Sequence, residues 1–515
     1  MTSLRCLALA AVLAGTSFAG DDQWLSPVYK AFYQYSLPLP PVKTPKTLYV
    51  NQTTGAVIDY YEVDIKPLEQ QDGISPGPTF HMERGREAVV RFINHGDLAN
   101  SVHLHGSYSR APFDGWAEDT TQKGQYKDYC EFANLKQNAR NLWYHDHAVH
   151  HTAENAYFGQ ARFYILHDPA EDSLGLPAGN YDIALALAAK QYNSDGTLFS
   201  PTSETLSLYG DVIHVNGQPW PYFKVEPRNR AFQLWVEADG ALGTKIPFQM
   251  IGSDAGLLSK PITSDLLHIS MAERKNITLR NNRKVQADED YNSTDKVMKF
   301  VVGNTVTSQQ GNGNVPSPLR EVPFPPLKSG VDRNSRFERS NGEWQINGVT
   351  FSEVENRIPV RVIARYAPWD GVYMFHCHNL IHEDHDMMAA FNVSVLADFG
   401  YPETTHFIDP MEQRSRSTDI TDGAFEEEHI QDRINELYLI DAYKDIDKVE
   451  EALVSYWDNH SSAVPSTLQT SVKSIKSTTA QASTTTAARV TTKATTTTKN
   501  DEKKTTKTAK TTTKK

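Results

Sequence analysis

Residues His376-Cys377-His378, followed closely by His382 and Met387, bring a thiolate, several imidazoles and a thioether into one short stretch. A thiolate and imidazole with a weak axial methionine form the ligand set of an electron-transfer copper. Cys377, His382 and Met387 supply those three types. On an extended strand successive side chains alternate faces, so His376 and His378 share the face opposite Cys377. Those two imidazoles are free to hold another metal, joined to the first through the cysteine backbone. Such an arrangement suits passing single electrons from a reductant to an oxygen-reducing cluster.

Two earlier segments offer material for that second centre. His103-Leu104-His105 and His145-Asp146-His147 are both His-x-His pairs in strand-like surroundings. Each pair presents two imidazoles on one face, about 6.5 Å apart along a strand. A single pair is more often solvated or packed than functional. Three pairs in one chain, with a cysteine inside the third, point to a multinuclear copper centre. The surrounding pattern is of short β-rich runs separated by Gly, Pro, Asn and Asp turns, which reads as all-β.

With those motifs the chain resembles the multicopper oxidase family, and within it the fungal bilirubin oxidase branch. The likeness covers most of Pro40–Gln413. It is dense in Ser75–Phe80, Ser101–Asp119, Leu142–Asp172, Gly210–Arg228, Tyr291–Val302 and Gly371–Gln413. The resemblance implies an all-β fold of tandem cupredoxin-like Greek-key sandwiches, three in number. It implies four copper ions and oxidation of bilirubin-like or phenolic reductants coupled to reduction of dioxygen to water. Carried over by position, Cys377, His382 and Met387 hold the type 1 copper. His103 serves the type 2 copper, and His105, His145, His147, His376 and His378 serve the type 3 pair. Asp114 matches an acid that supplies protons near the trinuclear cluster, a task suited to a carboxylate. Its other reading is an Asx turn ahead of Gly115.

One family motif has no counterpart. A His-Pro-x-His-x-His segment precedes the His-Cys-His run in the family and gives one histidine to each type of site. Here no histidine lies between His268 and His376. Seven of the family's ten copper histidines are therefore present, and the three missing ones are shared over all the sites. Asn347–Arg357 resembles the start of the family's third domain, and Arg361–Pro368 resembles the strand before Gly371. Several tens of residues are missing between them, near Ile358–Val360, with smaller compressions after Lys275 and near Ala238–Thr244. Closely matching flanks and an intact His376–Met387 favour a spliced or misread transcript over gradual decay. An alternative function follows: a catalytically incomplete, secreted copper-binding glycoprotein. A metal-ion oxidase is a weaker reading, since no acidic substrate site is evident.

The 515 residues have room for three domains. Expected boundaries are a signal peptide at 1–19, cupredoxin domains at 40–172 and 180–305, and a truncated third at 316–396. A helical extension at 423–458 and a disordered Ser/Thr/Lys-rich tail at 461–515 complete the chain. A sandwich domain needs about 100 residues, so the third lacks several strands. Arg5 and the apolar run Cys6–Gly15, ahead of Ser-Phe-Ala, read as a secretory signal. Five N-x-S/T sequons, at Asn51, Asn276, Asn292, Asn392 and Asn459, are compatible with secretion. No other stretch is apolar enough to span a membrane.

The net charge of −12 hides a division. From Ser461 onward 11 basic residues face 2 acidic ones, a net +9, which leaves −21 for the remainder. An acidic body argues against nucleic-acid binding. The basic, threonine-rich tail reads as an O-glycosylated stalk or cell-wall tether, or as an extension without specific role. Phe425–Trp457 carries Ile430, Ile434, Leu437 and Ile440 near helical spacing and is expected to close over the body. Of three cysteines, Cys6 lies in the signal, Cys130 reads as a packed thiol and Cys377 as a ligand. His150 and His151 read as second-layer donors or solvated residues, and His214 as structural.

Overall fold

The computed structural model describes residues 29–67, 76–130, 137–200, 208, 210–227, 239–240, 244–245, 248–264, 267, 269, 271–279, 296–321, 337–340, 343–346, 371–393 and 408–443, with helical positions at 448, 451–452, 455 and 459. The chain divides into two units, Met1–Ser462 and Ala463–Lys515, and all described residues lie in the first. The expected signal segment, the Ser/Thr/Lys-rich tail and the stretch around Ile358–Val360 lie outside the described residues.

The first region is a two-sheet sandwich. One sheet has the order β1-β4-β9-β8-β6, built from Val42–Lys43, Thr79–Glu83, Ala161–His167, Arg140–Asp146 and Val102–His105. The other has the order β2-β3-β5-β7-β24, built from Thr47–Val50, Val57–Ile65, Glu87–Asn94, Gln125–Cys130 and Thr418–Asp419. The sequence reasons are plain in the alternation. Phe80 and Met82 from β4, Leu142 and Tyr144 from β8, and Val90 and Phe92 from β5 face inward and form one core. Tyr61–Phe80 and Phe92–Tyr129 meet edge to face at 5.4 and 5.8 Å, an arrangement aromatic pairs favour.

Strand β5 is buried along its whole length. Its alternate residues serve a second core with Cys130, in which Val89 packs with Ile430, Ile434 and Leu437 of helix α3, Glu427–Tyr438. Burying each such aliphatic side chain is worth about 1.5–3 kcal/mol, so α3 belongs to the first sandwich. Arg91, fully buried on the same face, donates to both Asp128 carboxylate oxygens at 2.7 and 3.0 Å and to the Ala424 carbonyl at 2.6 Å. The Cys130 side chain is fully buried, the packed position expected of it.

A middle region follows. It contains the sheet β10-β11-β12 (Leu187–Lys190, Val212–Val215, Gln218–Pro219) and the parallel pair β13-β19 (Tyr222–Val225, Lys299–Val302). It also holds the short pair β14-β15 (Asp239–Gly240, Thr244–Lys245) and the sheet β17-β16-β18 (Gly256–Ser264, Phe248–Ser253, Lys275–Leu279). His214 lies on β11, with Nδ1 2.9 Å from the Gly217 carbonyl and Nε2 3.0 Å from the Tyr192 hydroxyl. That pairing is structural.

Among the described residues, the third region contributes two hairpin-like pairs. They are β20-β21 (Phe337–Ser340, Glu343–Ile346) and β22-β23 (Gly371–His376, Met388–Val393). Between β22 and β23 lies the five-residue helix α2, Leu380–Asp384. The short helix α1, Thr152–Phe158, sits in the first region after β8. No described helix is long and apolar enough to cross a membrane.

Candidate metal centre

Strands β6 and β8 pair antiparallel with His103 opposite His145 and His105 opposite Trp143. Val102 and Leu104 point into the sandwich core, so His103 and His105 must point outward from it. Leu142 and Tyr144 do the same on β8, which leaves Trp143 and His145 on the shared face. His147 continues past the strand, its N–H donating to the Ser101 carbonyl at 2.6 Å. Gly115 is required here: with φ of +73°, a Cβ would collide with the backbone of Val102 and His103.

Strand β22 brings the third pair to the same place. The His105 and His378 rings are 4.6 Å apart between centroids, and His147 and His376 are 4.8 Å apart. His103 lies 5.4 Å from His145 and 5.2 Å from His147. The Nε2 atoms of His147 and His376 approach to 2.9 Å. All six histidines of the three pairs thus converge, the third pair lying more than 200 positions beyond the other two.

For four of them the electrostatics favour neutral imidazole. Burial, then the neighbouring imidazoles, push His105, His145 and His147 well below the usual histidine range. The same causes bring His378 down to about 3. Burial also disfavours charge on His103, but the Asp114 carboxylate and carbonyl outweigh it and the net shift is upward.

Hydrogen bonds fix which nitrogen is free. His103 Nδ1 donates to the Asp114 carbonyl at 2.5 Å, and His145 Nδ1 donates to the Asp146 carbonyl at 2.7 Å. His376 Nδ1 lies 3.0 Å from the Cys377 carbonyl and 2.9 Å from a Glu383 oxygen. Oriented this way, each ring turns Nε2 toward the cluster. His145 Nε2 and His105 Nδ1 are buried with no hydrogen-bond partner. Buried unpaired nitrogens are costly unless something binds them. These donors fit a soft-to-borderline metal such as copper.

A second group forms on the other side of β22. Cys377 Sγ lies 3.4 Å from His382 Nδ1 and 3.3 Å from Met387 Sδ. Met387 is buried, and its N–H bonds to the His382 carbonyl at 2.9 Å, closing the turn that sets it beside the thiol. The indole of Trp344 stacks on His382 at 3.4 Å. His385 turns away, with Nδ1 2.7 Å from the Ile381 carbonyl. The two donor groups are joined by one backbone unit on either side of Cys377.

Asp114 sits beside His103, its carboxylate 3.5 Å from Nδ1. Burial pushes its carboxyl upward, and His103 only partly offsets this. Its backbone N–H also closes the short turn Ala111–Phe113 ahead of Gly115, donating to the Ala111 carbonyl at 3.4 Å.

Sequence reasoning missed Glu383. Its oxygens lie 2.9 Å from His376 Nδ1 and 3.5 Å from His147 Nδ1, and the side chain is almost fully buried. Burial opposes its charge, yet the His376 bond and surrounding imidazoles hold the carboxyl below the usual range. The available signal was its place directly after His382 on a short helix, where adjacent residues diverge by about 100°. One turn can therefore serve both groups. Asp146 was also missed: burial raises it to about 7, and Ser101 N–H donates to it at 2.7 Å. His150 bonds to the Asp384 carbonyl rather than to the cluster.

The sequence matches the description "Multicopper oxidase" over residues 62–171 and again over 348–396. It is 45% identical over 494 residues to a bilirubin oxidase from Albifimbria verrucaria, covering 76% of this chain and 86% of that protein. Since 76% of 515 residues is about 391, roughly a hundred of those 494 positions face no residue of this chain. A laccase from Bacillus stratosphericus is 27% identical, with 69% of this chain and 98% of the relative covered. Among solved structures, a laccase from Pediococcus acidilactici aligns with a TM-score of 0.56 at 22% identity, covering 71% of this chain and 95% of that one. The McoA multicopper oxidase of Aquifex aeolicus gives 0.53 at 18% identity, with 70% and 99% covered. These two likenesses concern the fold, which is of the cupredoxin-like, mostly β type. Sequence kinship at this level, together with the convergence of donor groups, leads to one conclusion: the chain belongs to the multicopper oxidase family, copper-dependent oxidoreductases that couple oxidation of small-molecule reductants to reduction of dioxygen.

Proposed function

We propose that Cys377, His382 and Met387 form the entry site for electrons, and that His103, His105, His145, His147, His376 and His378 hold the oxygen-reducing copper cluster. The observation that carries this reading is the convergence of six imidazoles beside the Cys377, His382 and Met387 group that follows β22. Bound copper supplies one-electron redox chemistry at both places. Cys377 links them, its own side chain in one group and its two neighbours in the other. Glu383 and the Asp114 carbonyl orient the imidazoles, and buried Asp114 stands ready to hold a proton beside His103. Trp344 shields the His382 ring from water.

The reductant in this reading is a bilirubin-like tetrapyrrole or a phenol, by likeness to the fungal bilirubin oxidase. The protein acts outside the cell, carries N-linked glycans and is tethered to the wall through its basic tail. Purified full-length chain, loaded with copper, should bind copper at both donor groups, which here lack three of the family's ten histidines, and should take up oxygen when given bilirubin or a phenol.

A second reading rests on the three absent histidines. In that reading copper is bound at fewer positions and no oxygen is consumed. Copper content measured with oxygen uptake separates the two. Sequencing the transcript across the codons for Asn356–Ala364 separates them at the level of the gene: a longer product with the histidine-rich motif restores all sites.

A further inference from the structure

Helix α1 begins without a cap from its own end. His151 occupies the N-cap position and its side chain makes no capping bond. The cap comes from more than 230 positions away. Asp384, the last residue of α2, accepts the Thr152 N–H at 2.9 Å on one carboxylate oxygen and the Ala153 N–H at 2.8 Å on the other. The His150 ring adds a third bond, Nδ1 to the Asp384 carbonyl at 2.8 Å, from a residue held at φ of +66°. Thr152 and Ala153 are buried, so no water can replace these bonds cheaply.

The far side of α1 reaches the histidine cluster. Asn155 Nδ2 donates at 3.1 Å to Asp146, which stands between His145 and His147. Asp146 is held in turn by the Ser101 and Ala148 N–H groups at 2.7 and 3.3 Å. At the other end, α2 carries His382 and Glu383, one turned to each donor group. A continuous polar chain therefore runs from the thiolate loop through α1 to the His145–His147 segment.

We propose that Asp384 is a positioning residue that clamps the loop bearing His382 and Met387 onto helix α1, and so sets the register between the two donor groups. The proposal rests on reading those groups as copper sites. Its physical need is clear. Among the described residues, α2 is a five-residue helix on a two-stranded ribbon, too little to hold its own geometry, whereas α1 is anchored to a ten-stranded sandwich. Two hydrogen bonds from buried amides to the two oxygens of one carboxyl group fix its orientation on α1.

The test uses the full chain with Asp384→Ala and Asp384→Asn, first without added copper. Hydrogen exchange at the Thr152 and Ala153 amides should quicken roughly tenfold in Asp384→Ala, as for a lost helix cap. Asp384→Asn, which keeps one acceptor oxygen, should show a smaller change and carries the test if the alanine variant fails to fold. With copper added, the thiolate-dependent visible absorption and its paramagnetic resonance should be altered in Asp384→Ala and largely recovered in Asp384→Asn. Unchanged exchange in both variants overturns the clamp. Faster exchange with copper spectra identical to the parent reduces Asp384 to a helix cap and overturns its positioning role. Faster exchange with no thiolate signal even in the parent leaves the clamp standing and sinks the copper reading beneath it.

Discussion

The two halves of the metal centre are supported very differently. His103, His105 and His145 stand on β6 and β8, inside a sandwich whose two sheets each have five strands. His376 and His378 stand on or just after β22, which pairs among the described residues only with β23. Leu142 and Tyr144, beside the first-region histidines, are buried, whereas Val372 and Phe375 on β22 are only partly so. The contrast shows where order comes from. The first half is set by its own core; the second is set by what it touches, namely His147, α1 and the Cys377–Met387 turn.

The largest effect should come from the residue that joins the halves. Cys377→Ser removes the only thiolate at the site, and both the visible absorption and oxygen uptake should fall by more than the 10–100-fold typical of losing an outer partner. Retained absorption would show that the thiolate is not a ligand. Next, Glu383→Gln loses the charge that holds His376 and His147 together. Copper affinity or turnover should drop by about 10–100-fold, measured by copper titration and oxygen uptake; a change within twofold would leave the second half supported by packing alone.

The fold expectation was legible because alternation is a local signal. Val102-His-Leu-His and Leu142-Trp-Tyr-His each write core and site on alternate positions, and the structure pairs them as the pattern demands. Cys377, His382 and Met387 were legible from residue chemistry alone. Glu383, Asp384 and Trp344 were not. Each acts through a partner distant in sequence or on another face of a short helix, and no local spacing announces such contacts. The role of α3 was half visible. Ile430, Ile434 and Leu437 gave its apolar face, but its seat on the outer side of β5 depends on Val89, far away in the chain.

Stability should follow the same contrast. Leu142→Ala, at a fully buried site, should cost about 2–5 kcal/mol. Val372→Ala on β22 should cost well under that, since it empties less enclosed space. Denaturant midpoints measure both; equal losses would erase the distinction between the halves. A pH-dependent effect belongs to the middle region. Burial, only partly offset by the Gly217 carbonyl, lowers His214 to about 4. Because the folded value is depressed, its contribution is complete above about 6.5 and is lost as pH falls toward 4. His214→Gln should flatten the pH dependence of stability in that window, by at most about 1.4 kcal/mol per pH unit. An unchanged slope would mean that His214 is not neutral and buried as described.

The most direct test of the account is copper X-ray absorption on the full-length chain, beside Cys377→Ser. The account predicts one sulfur-ligated copper environment that vanishes in the variant, while an imidazole-rich environment remains. Absence of a sulfur contribution in the parent, or loss of the imidazole signal together with it, would contradict two distinct donor groups joined at Cys377.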